Sequence, residues 1–225
     1  MEKIKKILEV IKKGLKEFAK PMAITLILIV ICGLMFPLLM TGISQVIMPN
    51  QANGSLIEVN GQYVGSSLVG QQFKEDHFLW GRPSAVNYNT FYEDENGNLV
   101  DEEGNPYNGP SSGSQNLGPT NPDLKDRVEK DIEIFLEKNP TVKKEDIPAD
   151  LLTASGSGLD PHISVQGAMI QLPRISEASG ISVDDLTKIV EDNTKGKFLG
   201  IFGEETVNVL GVNLDIAEKM GKLDK

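Results

Sequence analysis

The sequence predicts a single transmembrane helix followed by an extracytoplasmic domain of mixed α+β structure. Residues 22–48 contain no charged side chain, and the charges on their two sides are opposite in sign. About 175 residues follow, enough for one domain with its own core. Strand signals lie on both sides of a helical middle in this part, which is typical of an α+β fold.

The charge-free stretch is long enough to cross a bilayer as a helix. A hydrocarbon layer of about 30 Å needs about 20 helical residues, and Ile, Leu, Val, Met, Ala and Phe dominate residues 22–43. Backbone groups in lipid must be paired within the segment, so we expect a helix. We expect Gly33 to permit close packing of another helix, and Pro37 marks where a kink would form.

The charge distribution predicts the orientation of the span. Residues 1–20 hold seven Lys and three Glu, a charge of +4, whereas the remainder carries −14. Because Lys and Arg beside a span stay cytoplasmic, we expect the amino terminus in the cytoplasm and the domain on the other side of the membrane. The predicted organisation is a Lys-rich cytoplasmic stub at 1–20, a transmembrane helix at 21–48 and the extracytoplasmic domain at 49–225.

The stub has apolar residues at helical spacing, which predicts an amphipathic helix lying on the cytoplasmic membrane surface. A solvated basic flank explains the same pattern equally well. The apolar positions are Ile4, Ile7, Leu8, Ile11, Leu15 and Phe18.

Two processed forms are disfavoured. The basic region is long for a signal peptide, and no small-x-small cleavage pattern follows the span. A lipoprotein would use Cys32, but bulky Ile31 precedes it where a small residue is required. Since Cys32 is the only cysteine, no intrachain disulfide can form.

The first part of the domain is predicted to be rich in turns. Apolar runs lie on both sides of Asn60-Gly61, a dipeptide that favours a two-residue hairpin. Residues 89–114 hold six carboxylates and no Lys or Arg. We interpret them as an exposed acidic loop with a small hairpin around Asn96-Gly97. Calcium-loop spacing is absent, and no internal repeat is predicted.

A first helix is predicted from its caps. Asn121 can cap it, Pro122 suits its first turn, and Asn139-Pro140 should end it. Near the end of the chain, residues 206–214 alternate between apolar and other side chains, which predicts a strand.

Two more helices are predicted between them. One should begin after Ser164 and run to about Ala178, with Pro173 causing a kink or a break and Gly180 as its carboxyl cap. The next should begin at Ser182, where Asp185 closes a capping box.

Residues 150–164 contain the densest group of reactive side chains: Ser155, Ser157, Asp160 and His162. A membrane-anchored extracytoplasmic serine hydrolase would use one serine as nucleophile and His162 as base. The G-x-S-x-G pattern is absent, however, and this sequence equally builds a tight turn before a helix. We favour the turn and keep the hydrolase as the alternative.

Other function classes have little support. No P-loop or zinc-ligand spacing occurs, and an acidic domain without a basic stripe disfavours nucleic-acid binding. Arg82 could pair with a carboxylate of its own domain or of a partner, and we favour the internal pair.

Several segments resemble the C-subunit family (KdpC) of the bacterial Kdp potassium-transporting ATPase, over nearly the whole chain. The segments are 65–71, 81–84, 114–119 with Asn121-Pro122, 150–164, 171–174 and 207–210. The resemblance marks the following as structural or subunit-interface positions: Gly81, Arg82, Pro83, Ser84, Asn116, Gly118, Ser155, Ser157, Asp160, His162, Arg174 and Asn208.

The resemblance implies a non-catalytic accessory subunit in a high-affinity, ATP-driven potassium uptake complex of the bacterial cell membrane. Such a subunit stabilises assembly and acts as a catalytic chaperone that raises the ATP affinity of the P-type ATPase subunit. The implied partners are that subunit, a channel-like potassium-translocating subunit, a small single-span subunit and membrane lipid. No cofactor is expected to be firmly bound, because the complex handles ATP and potassium. The chain also lacks the D-K-T-G-T phosphorylation motif of P-type pumps.

Overall fold

The computed structural model describes residues 2–223, except for the side chains of residues 7, 8, 10 and 11. The chain divides into two compact units, Met1–Ser55 and Leu56–Lys225. The predicted apolar positions Ile7, Leu8 and Ile11 of the stub lie outside the described side chains.

The first unit is a long helix. Helix α1 spans Glu2–Val30, a π-helical turn follows at Ile31–Met35, α2 spans Phe36–Ile47, and the short α3 spans Pro49–Ala52. The helical segment Lys12–Ile47 is long and apolar enough to cross a membrane. The stub is helical, but α1 passes through Pro21 without a break, so no separate surface helix is distinguished from the span.

A π-helical turn lies directly before Pro37, the position where a kink was expected. Proline has no N–H, and its ring would meet the carbonyl four residues earlier, at Gly33. The helix widens over Ile31–Met35, just before the proline, where the Phe36 N–H donates to the Ile31 carbonyl. A single wide turn is a common way for a helix to accommodate such a conflict.

The second unit begins with the predicted hairpin. Strands β1 (Leu56–Val59) and β2 (Gln62–Ser66) pair antiparallel. Asn60 and Gly61 have φ of 52° and 78°, the left-handed values that a two-residue turn of this type requires.

The acidic segment contains the second predicted hairpin. Strands β3 (Tyr92–Glu93) and β4 (Leu99–Val100) pair antiparallel, and Asn96-Gly97 lies in the turn between them.

The expectation of no internal repeat was wrong: residues 94–98 (DENGN) and 101–105 (DEEGN) are similar in sequence and begin seven residues apart. In both turns the leading Asp accepts the N–H groups two and four residues later, at 2.8–3.0 Å. Asn98 and Asn105 donate their amides to Asp94 and Asp101, and these bonds lower the pKa of each carboxyl.

The helices of the domain begin and end largely where predicted. Helix α4 spans Pro122–Lys138, and the Asn121 side chain accepts the Asp123 N–H. The next predicted helix is broken near Pro173 into α5 (Val165–Met169) and α6 (Leu172–Ser179), with Gly180 at φ 75° as its cap. Helix α7 spans Val183–Asp192, with Ser182 as its amino-terminal cap.

A three-stranded antiparallel sheet lies beside these helices, in the order β5 (His162–Ser164), β7 (Thr206–Asn208) and β6 (Thr194–Lys195). The prediction of a strand over residues 206–214 was wrong beyond Asn208, where α8 (Val209–Lys219) begins. The Asn208 side chain accepts the Gly211 N–H and starts the helix. Helical spacing then buries one face, formed by Val209, Val212, Asn213 and Ile216.

Candidate functional site

Two polar clusters contain most of the positions that the sequence marked. We call the first the loop junction, where Arg82, Ser84 and Tyr88 meet residues 155–160. We call the second the polar clamp, formed by Asn139, Gln171, Arg174 and Asn213 around residues 75–80. Both lie in the second unit.

The internal ion pair expected for Arg82 is formed. Its Nη1 lies 3.0 Å from Oδ2 of Asp160, and both side chains are partly buried. Arg82 Nε and Nη2 also donate to the Thr153 carbonyl, at 3.3 and 3.2 Å. One guanidinium thus joins both ends of the loop at 153–160 to the segment at 81–84, as its fork of donors allows.

Ser84 makes a second connection within the loop junction. Its hydroxyl donates to the Gly158 carbonyl at 2.6 Å and accepts the N–H groups of Val86 and Tyr88. Gly158 has φ of 69°, and a Cβ there would lie 2.8 Å from the Gly113 carbonyl oxygen. Three loops therefore meet at a point where only glycine fits without displacement.

Tyr88 closes the junction from the other side. Its hydroxyl donates to the Arg82 carbonyl at 2.9 Å. Burial, and then the charge of Asp160, raise the pKa of Tyr88 to about 12. Residues 87–89 all have φ between 48° and 55°, in the left-handed region. The sequence interpretation missed Tyr88; its only signal is an aromatic residue between two Asn.

The serines of the hydrolase alternative take part in a turn. The Ser155 hydroxyl accepts the Gly158 N–H at 2.9 Å, and the Ser157 hydroxyl accepts the Leu159 N–H at 3.1 Å. The His162 ring faces Asp160, with 3.5 Å between Nδ1 and Oδ1. Among the described residues, no hydrogen bond joins His162 to either serine. The arrangement is that of a self-capped turn leading into β5.

The remaining marked positions at 81–83 and 114–119 support loops. Gly81 lies beside Tyr88, whose hydroxyl would be 3.2 Å from an added Cβ. Pro83 lines a groove described below. Asn116 has φ of 52° and is exposed, and the Gly118 carbonyl accepts the Asn121 N–H in the turn before α4.

Arg174 is the centre of the polar clamp. It is 6% exposed, and Nη1 donates to the carbonyls of Asp76 and Phe78 at 2.7 and 3.1 Å. Nε donates to Oδ1 of Asn139 at 3.1 Å. The guanidinium also stacks over Trp80, 4.2 Å from the ring centroid. Burial lowers the pKa of Arg174 to about 10.

Two buried amides complete the clamp. Gln171 accepts the Trp80 N–H and donates to the Trp80 carbonyl, while Asn213 does the same for Leu79. The buried backbone N–H and C=O groups of residues 76–80 are therefore paired with side chains of the clamp, and not with a neighbouring strand. Gln171 begins the segment 171–174 that the resemblance marked, although no role was predicted for it. Sequence reasoning missed Asn213, whose only signal is a polar side chain inside an apolar run.

Asn208 connects β7 to an earlier loop. Its side-chain amide donates to the Ser67 carbonyl at 2.9 Å, while its oxygen caps α8. The motif at 65–71 thus meets the motif at 207–210.

A groove of about 510 Å³ runs beside the loop junction. The segment at 80–84 forms one wall, and Asp131, Ile134, Phe135 and Lys138 of α4 form the other. Within residues 2–223, His, Cys, Asp and Glu side chains form no group of three or more that could hold a metal ion.

The geometry defines a class of protein: one helix able to span a membrane, joined to an α+β domain whose marked side chains hold its loops together. Comparison with known families gives the particular one. The family model described as KdpC, the K⁺-transporting ATPase c chain, matches residues 18–218. The chain belongs to this family and is a subunit of a potassium-transporting ATPase complex.

Curated relatives agree over nearly their whole lengths. The Potassium-transporting ATPase KdpC subunit of Clostridium kluyveri is 55% identical, over 95% of this chain and 97% of that protein. The subunit of the same name in Clostridioides difficile is 56% identical, over 92% and 99%. That of Caldanaerobacter subterraneus is 42% identical, over 93% and 99%.

Proposed function

We propose that this chain is the non-catalytic accessory subunit of a high-affinity potassium uptake complex. In this role it stabilises assembly and raises the ATP affinity of a P-type ATPase subunit. The observation that carries the proposal is the use of the marked side chains: Arg82, Ser84, Ser155, Ser157 and Asp160 all bond within the domain. Because these groups are already engaged in loop structure, the serine hydrolase is the weaker candidate.

The proposal places the domain outside the cell. Seven Lys precede the span and the remainder is net acidic, which favours a cytoplasmic amino terminus. ATP would then lie across the membrane from the domain, so an effect on ATP affinity requires coupling through the span and the companion subunits. Those companions are a channel-like subunit, the P-type subunit and a small single-span subunit, with ATP and potassium bound by the complex as a whole.

The span itself is proposed as a docking surface. Thr25, Leu28, Ile29, Cys32 and Gly33 line a shallow groove on its surface. A Cβ at Gly33 would meet nothing within 4 Å in this chain. A steric cost of Gly33→Leu would therefore arise only from a helix packed against it.

Purification of the complex through a tag on this chain tests the proposal. We expect the channel-like and P-type subunits to be recovered together, and ATPase activity to show a higher KM for ATP when this chain is omitted. Gly33→Leu should reduce recovery, whereas Ala23→Leu, on the same exposed helix, should not. Absence of both companions from the wild-type sample would contradict the proposal.

The hydrolase alternative has its own test. Purified chain would have to hydrolyse ester or amide model substrates, with Ser157→Ala and His162→Ala abolishing that activity. We expect no hydrolysis above the level of the variants.

A further inference from the structure

The hairpin between β6 and β7 exposes an unusually apolar end. Phe198, Leu199, Ile201 and Phe202 are 70%, 74%, 76% and 62% exposed. We call these four residues the apolar tip. Together they present on the order of 500 Å² to solvent, within the range of the largest apolar patch on a typical monomer. The largest apolar patch of a monomer is often functional.

The apolar tip is ordered by its own backbone. The Phe198 N–H donates to the Phe202 carbonyl at 2.8 Å, and the Phe202 N–H donates back at 2.9 Å. At its base, β7 pairs with both β5 and β6, and Val207 is fully buried. The four side chains are thus presented on a fixed support, which reduces the entropy lost when they bind.

Leu199 gives a second indication that the tip serves a partner. Its φ is 54°, followed by Gly200 at 73°. A bulky side chain in the left-handed region is strained, whereas Asn or Gly would adopt it readily. A leucine therefore occupies a position whose backbone conformation is unfavourable for it, and its side chain is exposed. A residue held against local strain suggests a role outside the fold.

We propose that the apolar tip docks into an apolar surface pocket of a companion subunit of the potassium-transporting ATPase complex. This inference rests on the proposed function. Residues 198–202 then make the contact between the α+β domain and the companion subunit, in addition to any contact made by the span.

Charge favours a protein pocket over lipid. Lys195 and Lys197 lie on one arm of the hairpin and Glu204 and Glu205 on the other, and Lys197 pairs with Glu204 at 3.9 Å. Segments that enter the membrane surface are usually rich in Lys and Arg and carry Trp or Tyr at the interface. The apolar tip has neither feature, and the two lysines and two glutamates of its arms cancel in charge, so anionic lipid offers no net electrostatic attraction.

The exposed area of the apolar tip argues against a second copy of this chain as the partner. A stable interface needs about 800 Å² from each partner, more than the apolar tip supplies. Two net acidic domains would also repel each other. For a subunit held in the same membrane the requirement is smaller, because anchoring raises the effective concentration of one partner near the other.

Leu199→Asn separates docking from folding. Asn relaxes the left-handed backbone, so we expect the midpoint of urea unfolding to stay equal or rise. The same change removes an apolar anchor, so recovery of companion subunits after a detergent wash should fall roughly 10-fold or more. Tyr63→Asn, at a residue that is 69% exposed on the β1–β2 hairpin, is the control and should leave recovery unchanged. Equal recovery with Leu199→Asn and Tyr63→Asn would overturn the inference.

Cysteine labelling identifies the occupant. In a Cys32→Ser background, Ile201→Cys should react quickly with a water-soluble maleimide when the chain is alone in vesicles of phosphatidylethanolamine and phosphatidylglycerol. We expect at least 10-fold slower labelling in the assembled complex, while Tyr63→Cys reacts equally in both. Protection in vesicles without companion subunits would show lipid insertion, and protection that rises with chain density would show self-association; either overturns the inference. If wild-type chain recovers no companion at all, the proposed function fails instead.

Discussion

Replacing Arg174 with Met should destabilise the α+β domain more than any other single Arg substitution that conserves side-chain length. The change removes the donors for four acceptors, the carbonyls of Asp76 and Phe78 and the side-chain oxygens of Asn139 and Gln171. Each buried acceptor left without a donor costs about 1–3 kcal/mol. Removing a buried charge offsets part of this, so we expect a net loss of roughly 3–5 kcal/mol.

Urea unfolding of the full chain in mild detergent measures this loss. Trp80 is the only tryptophan, and it lies against Arg174, so its fluorescence reports unfolding of the domain. Arg174→Lys should fall between wild type and Met, because an ammonium reaches the carbonyls of residues 76 and 78 but loses the bond to Asn139 and the planar stacking.

Arg127→Met is the matched control. Arg127 pairs with Asp131 at 2.6 Å and donates to the Leu152 carbonyl at 3.1 Å, but its side chain is 26% exposed. Water can replace these bonds, so the loss should be about 1 kcal/mol. Equal losses for Arg127→Met and Arg174→Met would refute the argument that buried carbonyls depend on the clamp.

Three further predictions concern the loop junction. Gly158→Ala should cost roughly 2–4 kcal/mol in thermal unfolding, because φ is 69° and the new Cβ lies 2.8 Å from the Gly113 oxygen; a loss under about 1 kcal/mol would contradict this. Ser157→Ala should cost about 1 kcal/mol or less and leave ATPase activity of the complex unchanged, so a large activity loss would favour a chemical role. The raised pKa of Tyr88, about 12 against 10.0, contributes stability below pH 10 that is lost as pH rises toward 12. Tyr88→Phe should therefore remove up to about 2 kcal/mol of the pH dependence between 10 and 12; identical pH curves for the two proteins would disprove it.

Sequence reasoning succeeded where neighbours in the chain decide the structure. Asn60-Gly61, Asn121-Pro122 and Gly180 each determine a turn or a helix end within a few residues, and each was predicted in place. The prediction of a strand over residues 206–214 was wrong beyond Asn208, because strand alternation and helical spacing both fit the same short apolar run. Only the Asn208 side chain, which caps α8, decides between them.

The resemblance marked Arg174, but the contacts of the polar clamp could not be predicted, for a different reason. Arg174 bonds to carbonyls 96 and 98 residues away, and Asn213 pairs with Leu79 across 134 residues. A sequence pattern marks such residues only as polar positions in apolar surroundings. The internal pair of Arg82 was expected, but its partner Asp160 was not specified, because the connection depends on tertiary folding.

The twin turns of the acidic segment have a consequence for how this part of the chain can change. Each seven-residue block closes on itself, since its leading Asp binds its own backbone and the N–H of that Asp donates to the Asn carbonyl at 2.8–2.9 Å. Adding one block would insert one more turn of this kind, whereas deleting the second block would also remove the Lys74–Glu102 ion pair and the stacking of Tyr107 on Phe91. Growth of the segment should therefore occur in steps of seven residues, as successive copies of one folded module and not as a gradual lengthening of loose chain.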